Sequence, residues 1–294
     1  IWAKRYFSGY EMAGIKIHAP IDCLIKNNRI CNVGRGMWMD WMTQGTRITG
    51  NLCYNNSTDD ILIEVNHGPY LIDNNVLLSR QSLRDWSQGG AYVHNLMAGK
   101  LSLVPEDRTT PYFMPHSTEL VELMDIKGGD NRFYNNIFLK KSSEINYNYD
   151  LMFEDFDNRS ETGKKMGYGL ELYNYAWLPM SVGGNVYYNG AKSYRGENKF
   201  VEQPDFDPKV EIIERDGEVF LNVNLDQSPK KVKNSLITTD LLGTAVIPEQ
   251  AFTNPDGTAL VVDKDYFGND RSRNNPVAGP FEEAKQGTIK IKVW

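Results

Sequence analysis

Short apolar phrases, each split by a polar pair, recur along the first two-thirds of the chain. They run Leu24-Ile25-Lys26-Asn27-Asn28-Arg29-Ile30, Arg47-Ile48-Thr49-Gly50-Asn51-Leu52 and Leu71-Ile72-Asp73-Asn74-Asn75-Val76-Leu77, then Tyr92-Val93-His94-Asn95-Leu96 and Phe133-Tyr134-Asn135-Asn136-Ile137-Phe138. The second polar residue falls at 28, 51, 75, 95 and 136, in steps of 23, 24, 20 and 41. One coil of a β-solenoid takes about 20 to 25 residues, so the last step is two coils, or one coil with an insertion. The phrases alternate and are rich in Ile, Val, Tyr and Phe, which favours strands over helices. Asn suits a sharp turn because it tolerates the left-handed region, and stacked Asn side chains can bond one another. The expected architecture is all-β: a right-handed parallel β-helix over residues 1–204, with a smaller antiparallel, sandwich-like β region over 205–294. The hairpin signal Glu214-Arg215-Asp216-Gly217-Glu218-Val219 and the alternating Thr288-Ile289-Lys290-Ile291-Lys292-Val293 define the second part, read as an accessory or capping element. Residues 100–121 and 139–180 break the repeat and are expected to form a binding rim.

The same register locates acids. Asp40, Glu64 and Asp125 each stand 11 positions before their Asn, and Asp85 stands 10 before Asn95. Asp85-Trp86-Ser87-Gln88-Gly89 also repeats Asp40-Trp41-Met42-Thr43-Gln44-Gly45 with one residue removed. Neighbouring strands lie about 4.8 Å apart, so an acidic column on one face is expected. Alternation in Ile61-Leu62-Ile63-Glu64-Val65 turns Glu64 outward, and the same logic puts Trp38 beside Asp40, while Trp41 and Trp86 are expected to point inward. Closely held carboxylates split their protonation states, as acid and base work requires. An aromatic beside them suits the apolar face of a sugar ring. Asp85 and Asp125 are expected to bind substrate, tune the pair or only fill a polar face. Within Asn66-His67-Gly68-Pro69, His67 is either a turn residue or a substrate contact.

Composition narrows the partners. With 32 Lys and Arg against 38 Asp and Glu, the net charge of -6 offers no basic field for a phosphate backbone, so nucleic acid is not expected. No apolar run approaches the roughly 20 residues that span a bilayer, so membrane insertion is not expected either. The 3 cysteines, Cys23, Cys31 and Cys53, lack Cys-x-x-Cys spacing and read as buried free thiols. None of the 4 His residues forms a ligand-spaced pair, and no metal or cofactor is expected. The chain starts at Ile1 without Met, and Ile1 to Arg5 lack a secretory pattern, which suggests a processed form or one lacking an upstream part. A periplasmic or secreted location is favoured over the cytoplasm, and self-association is left open.

Two segments carry a family likeness. Trp38-Met39-Asp40-Trp41-Met42-Thr43-Gln44-Gly45-Thr46-Arg47-Ile48 and Asp60-Ile61-Leu62-Ile63-Glu64-Val65-Asn66-His67-Gly68-Pro69 resemble glycoside hydrolase family 120, over about residues 9–140. That resemblance implies a β-xylosidase on a parallel β-helix with an accessory β-sandwich, acting on plant-derived oligosaccharides such as those of xylan. It implies Asp40 as nucleophile, Glu64 as general acid and base, and Glu11 in the sugar subsite, with Tyr10 before it where the pattern has His. Two rivals stand on the same scaffold: a Ca²⁺-dependent polysaccharide lyase using Lys16, Arg47 or Arg84 as base, and a non-catalytic carbohydrate-binding module.

Overall fold

A computed structural model describes residues 11–141 and 165–294. Three sheets run the length of the solenoid, and each coil gives one strand to each. The first sheet stacks Ile15–His18, Arg35–Asp40, Asp59–Glu64, Gln81–Trp86 and Lys100–Leu103 in parallel, and is closed by the antiparallel Lys165–Gly167. The second stacks Leu24–Lys26, Arg47–Thr49, Tyr70–Asp73, Gly90–Val93, Arg132–Tyr134 and Ser181–Gly183. The third follows from Arg29–Cys31 to Phe200–Gln203, also in parallel. This is the expected parallel β-helix.

The coil turns between the second and third sheets because a left-handed residue precedes each ladder Asn. Asn27, Gly50, Asn74, His94, Asn135 and Gly184 have φ between 54° and 75°. Glycine enters this region freely, and Asn does so at small cost. The left-handed position therefore belongs to the first residue of each pair, leaving the second to bond along the stack. Asn28, Asn51, Asn75, Asn95 and Asn136 each donate the backbone N–H to the Oδ1 of the next Asn at 2.9 Å, ending at Asn185. Each Nδ2 donates to the same oxygen, and Glu197 terminates the ladder by accepting from Asn185 Nδ2 at 2.8 Å. Buried amides are thus satisfied without water, which a dry interior demands.

Inside the coils, Met37, Met39, Ile61, Ile63, Ile72, Leu83 and Tyr92 are buried together. Tyr92 stacks flat on Phe133 at 4.6 Å, and Phe138 stacks on Tyr187 at 5.3 Å, so aromatic rings follow the same rise as the strands. Cys53 is buried, while Cys23 and Cys31 are only half-buried; all three are free.

The 41-residue step is one coil with an insertion, since Gly90–Val93 pairs directly with Arg132–Tyr134. The insertion folds as an antiparallel hairpin of Thr109–Phe113 against Leu120–Asp125. A row of turn side chains holds it down. Gln44 Nε2 donates to Phe113 O at 2.9 Å, His67 Nε2 lies 3.0 Å from Thr110 O, and Gln88 Nε2 donates to Asp125 O at 3.2 Å. At its far end His116 bridges Asp22 and Thr253, each at 2.8 Å.

After residue 205 the chain packs along the flank of the solenoid. Glu211–Arg215, Glu218–Leu225 and Gly287–Lys292 form an antiparallel sheet. Its Val219, Leu221 and Val223 cover Leu52, Val76, Leu96 and Ile137 on the outside of the third sheet. Ile237, Leu242, Phe252 and Leu260 cover Leu71, Ala91 and Val93 of the second. Two sheet faces are thereby sealed, and the first remains as the face that carries the acids. Among the described residues no helix is long and apolar enough to cross a membrane.

Candidate active site

Asp40 and Glu64 end adjacent strands of the first sheet. Met37 pairs with Ile61, Trp38 with Leu62 and Met39 with Ile63, so the next step sets Asp40 beside Glu64. Met37, Met39, Ile61 and Ile63 are wholly buried in the core, and alternation sends Trp38, Asp40, Leu62 and Glu64 to the outer face. The neighbouring strand puts Lys16 opposite Trp38 and His18 opposite Asp40.

The two carboxylates sit in different electrostatic settings. Asp40 Oδ2 takes the Lys16 ammonium at 2.7 Å, and His18 Nδ1 stands 3.3 Å from the same oxygen. Asp40 Oδ1 accepts from the Trp41 N–H at 3.0 Å. Glu64 Oε2 accepts from Trp38 Nε1 at 2.9 Å, and Oε1 from Arg108 Nη2 at 2.8 Å. Burial raises the Glu64 carboxyl above its usual range; Arg108 opposes the rise and Asp40 adds to it. Side-chain exposure is only 7 % for Asp40 and 9 % for Glu64, so both carboxylates are largely shielded from solvent.

Arg108 comes from the edge of the hairpin insertion. Its guanidinium lies 5.2 Å from the Trp41 ring and 5.8 Å from the Trp86 ring, and it also binds Glu106. Lys16 and Arg35 cover the Trp38 ring at 4.1 and 4.7 Å. Trp38 is therefore a buried donor that orients Glu64, and its ring is closed to a sugar.

Several expected placements change. Asp85 does not join the column: it pairs with Ile63, while Trp86 pairs with Glu64. A one-residue slip turns every side chain to the other face, so Asp85 points into the core and Trp86 outward. There Asp85 is fully buried and accepts from Tyr173 OH, Asn131 Nδ2 and Ser87 N at 2.8, 2.8 and 3.1 Å. Trp41 and Trp86, expected inside, are half-buried beside the acids. Asp125 ends the hairpin strand Leu120–Asp125, exposed and bonded to Thr109, so its spacing from Asn136 is accidental. His67 is 2 % exposed with both ring nitrogens occupied, by Thr110 O and Gln88 Nε2, and burial lowers its pKa. It anchors the hairpin and has no surface for substrate. Glu11 is 72 % exposed and reaches the site through an ion pair with Lys16. Tyr10 lies outside the described residues.

Arg108, Glu106 and His18 join the site with no motif in the sequence to mark them. Their signals are weak: Arg108 and Glu106 sit in a segment expected to be a rim, and His18 follows Lys16 at the strand period.

No family model matches the chain, and no curated protein matches it. A solved structure does: XylC, determined in complex with xylose, superimposes with a TM-score of 0.84 at 38% identity, covering 99% of this chain and 46% of XylC. This chain spans about half the length of that protein.

Proposed function

We infer that this chain, of the glycoside hydrolase family 120 kind by its motifs and by its likeness to XylC, carries the hydrolytic site of a retaining β-xylosidase acting on xylo-oligosaccharides. The observation that carries the reading is the placement of Asp40 beside Glu64 on the outer face of adjacent strands, each held by its own cation, Lys16 and Arg108. Strand neighbours sit about 4.8 Å apart. Retaining glycosidases hold their carboxyls about 5 to 5.5 Å apart, and inverting ones roughly 6.5 to 9.5 Å. Asp40, held by Lys16 and the Trp41 amide, is the nucleophile that attacks the anomeric carbon. Glu64, its proton affinity raised by burial, protonates the departing oxygen and then takes a proton from the water that releases the sugar. Glu11 contacts sugar hydroxyls from beside Lys16. On this reading the substrate is an oligosaccharide, cleaved from its end.

The lyase alternative needs a basic side chain able to take a proton, and its three candidates are engaged. The Lys16 pKa, lowered by burial, is raised on balance by bonds to Asp40 and Glu11, which keeps it a cation. Arg47 grips Asp73 with two bonds of 2.8 Å, and Arg84 pairs with Asp59 at 3.4 Å.

The test is a screen of aryl glycosides including β-xylosides and α-arabinofuranosides, with NMR of the first-formed sugar. Release of the β-anomer from a β-xyloside, abolished by Asp40→Ala, is expected. First appearance of the opposite anomer would exclude the adjacent pair as nucleophile and acid.

A further inference from the structure

The hairpin insertion delivers one cation to the acid of the pair, and nothing in the repeat requires it there. Arg108 Nη2 is shared between Glu64 Oε1 at 2.8 Å and Glu106 Oε2. The arm is not free to drift. Gln44, His67 and Gln88, from three successive coils, fix the hairpin backbone by hydrogen bonds of 2.9 to 3.2 Å. Gln88 Oε1 also accepts from Lys127 N at 2.8 Å, past the end of the hairpin. Resting on the reading of Glu64 as acid, we propose that Arg108 is a positioning residue that sets the proton affinity of Glu64, with Glu106 competing for it.

Charged and polar groups face Glu64 from three directions. Asp40 stands on the preceding strand, with Lys16 and His18 beyond it, and Trp38 donates from the same preceding strand. Trp86 stands on the following strand, with Arg84 two positions behind it on the same face. The insertion adds Arg108 and, through it, Glu106. Lys16 is committed to Asp40 and Glu11, and Arg84 faces Asp59. Among the described residues Arg108 is thus the cation in hydrogen-bond contact with the acid. An opposite charge at this range lowers a carboxyl pKa by about 1 to 3 units. Glu106 takes part of that charge back, so along the Glu106–Arg108–Glu64 chain the lowering by Arg108 is weakened by its second partner.

The test is the basic limb of the kcat/KM profile on an aryl β-glycoside, which falls where free Glu64 loses its proton. Arg108→Met should move that limb up by about 1 unit or more, with Arg108→Lys restoring part of the shift. Glu106→Gln should move it down, because Arg108 then serves Glu64 alone. Loss of fold would lower activity without these opposite displacements. A limb unmoved in Arg108→Met, or moved the same way by both variants, overturns the inference. The functional reading is judged separately, by Glu64→Ala on good and poor leaving groups. If that variant loses both equally, Glu64 is not the acid and both fall; if it spares good leaving groups while the limb stays fixed, only the role of Arg108 falls.

Discussion

The solenoid has two turns whose behaviour along the stack is opposite. At the Asn turn every coil spends one left-handed residue and then one ladder Asn, from Asn27-Asn28 to Gly184-Asn185. At the turn that leaves the acid-bearing sheet the coils shorten. Thr43 N bonds Asn66 Oδ1 and Asn66 N bonds Ser87 Oγ, which aligns Thr43, Asn66 and Ser87. Between each strand end and that row stand Trp41 and Met42 in one coil, Val65 in the next, and no residue after Trp86. The constant turn stacks identical chemistry and serves the fold. The shrinking turn shifts the register of what precedes it, so that an acid is outward in two coils and inward in the third.

Neutralising an outward acid and the inward one in parallel should give the largest difference between the two turns. Glu64→Ala should lower kcat/KM on a substrate with a poor leaving group by about 10² to 10⁴-fold, and far less on an activated aryl glycoside. Asp85→Asn should change turnover by a few-fold at most, because Asp85 lies in the core with Tyr173, Asn131 and Ser87. Steady-state kinetics on both variants decides it. An Asp85→Asn loss as large as that of Glu64→Ala would return Asp85 to the site.

The constant turn can be broken at its middle and at its end. Asn75 accepts two bonds from Asn51 and donates from N and Nδ2 to Asn95, while Nδ2 also reaches Ile48 O. Its replacement by Ala leaves several buried groups unpaired at about 1 to 3 kcal/mol each, so a loss of about 3 kcal/mol or more is expected in urea denaturation. Asn28 is half-exposed at the end of the ladder, and Asn28→Ala should cost about 1 kcal/mol. Equal costs would mean that the ladder is not cooperative along its length.

The two turns also explain what the sequence disclosed. The Asn ladder was legible because one residue type recurs at one spacing and alternates with apolar neighbours. Asp40 and Glu64 were legible because each precedes its Asn by the same count. Asp85 was misplaced because counting back from Asn95 passes through the turn that shortens. Pairing from the strand side instead, Leu83 with Ile61, gives its true face. Asp125 misleads because the 11 positions before Asn136 end in the inserted hairpin, whereas that coil's own strand of the first sheet, Lys100–Leu103, lies on the far side of the insertion. Arg108 was hidden for the same reason: it meets Glu64 from 44 positions away, through contacts made by Gln44, His67 and Gln88 that no repeat announces.

The smallest expected effect separates the inward acid from the outward pair by pH. Burial pushes Asp85 up to about 7, against the donors Tyr173, Ser87 and Asn131 that favour its anion. An unfolded Asp titrates near about 3.9. Between those values the folded chain holds a proton that the unfolded chain has released, so this contribution to stability is full below about pH 4 and is lost as the pH rises through about 7. Asp60 and Glu197 are likewise raised to about 7 by burial and act in the same direction. The melting temperature should therefore fall between pH 5 and pH 8 from these groups. In Asp85→Asn one of these titrations is gone, and the amide offers one acceptor oxygen where the carboxyl met three donors. The variant should be less stable than the parent at pH 5 by about 1 to 3 kcal/mol, and the gap should narrow toward pH 8 as the parent loses its own contribution. Differential scanning calorimetry of both proteins across that range measures it. A gap that stays constant with pH would show that Asp85 does not titrate there, and would leave donor loss as the whole of its effect.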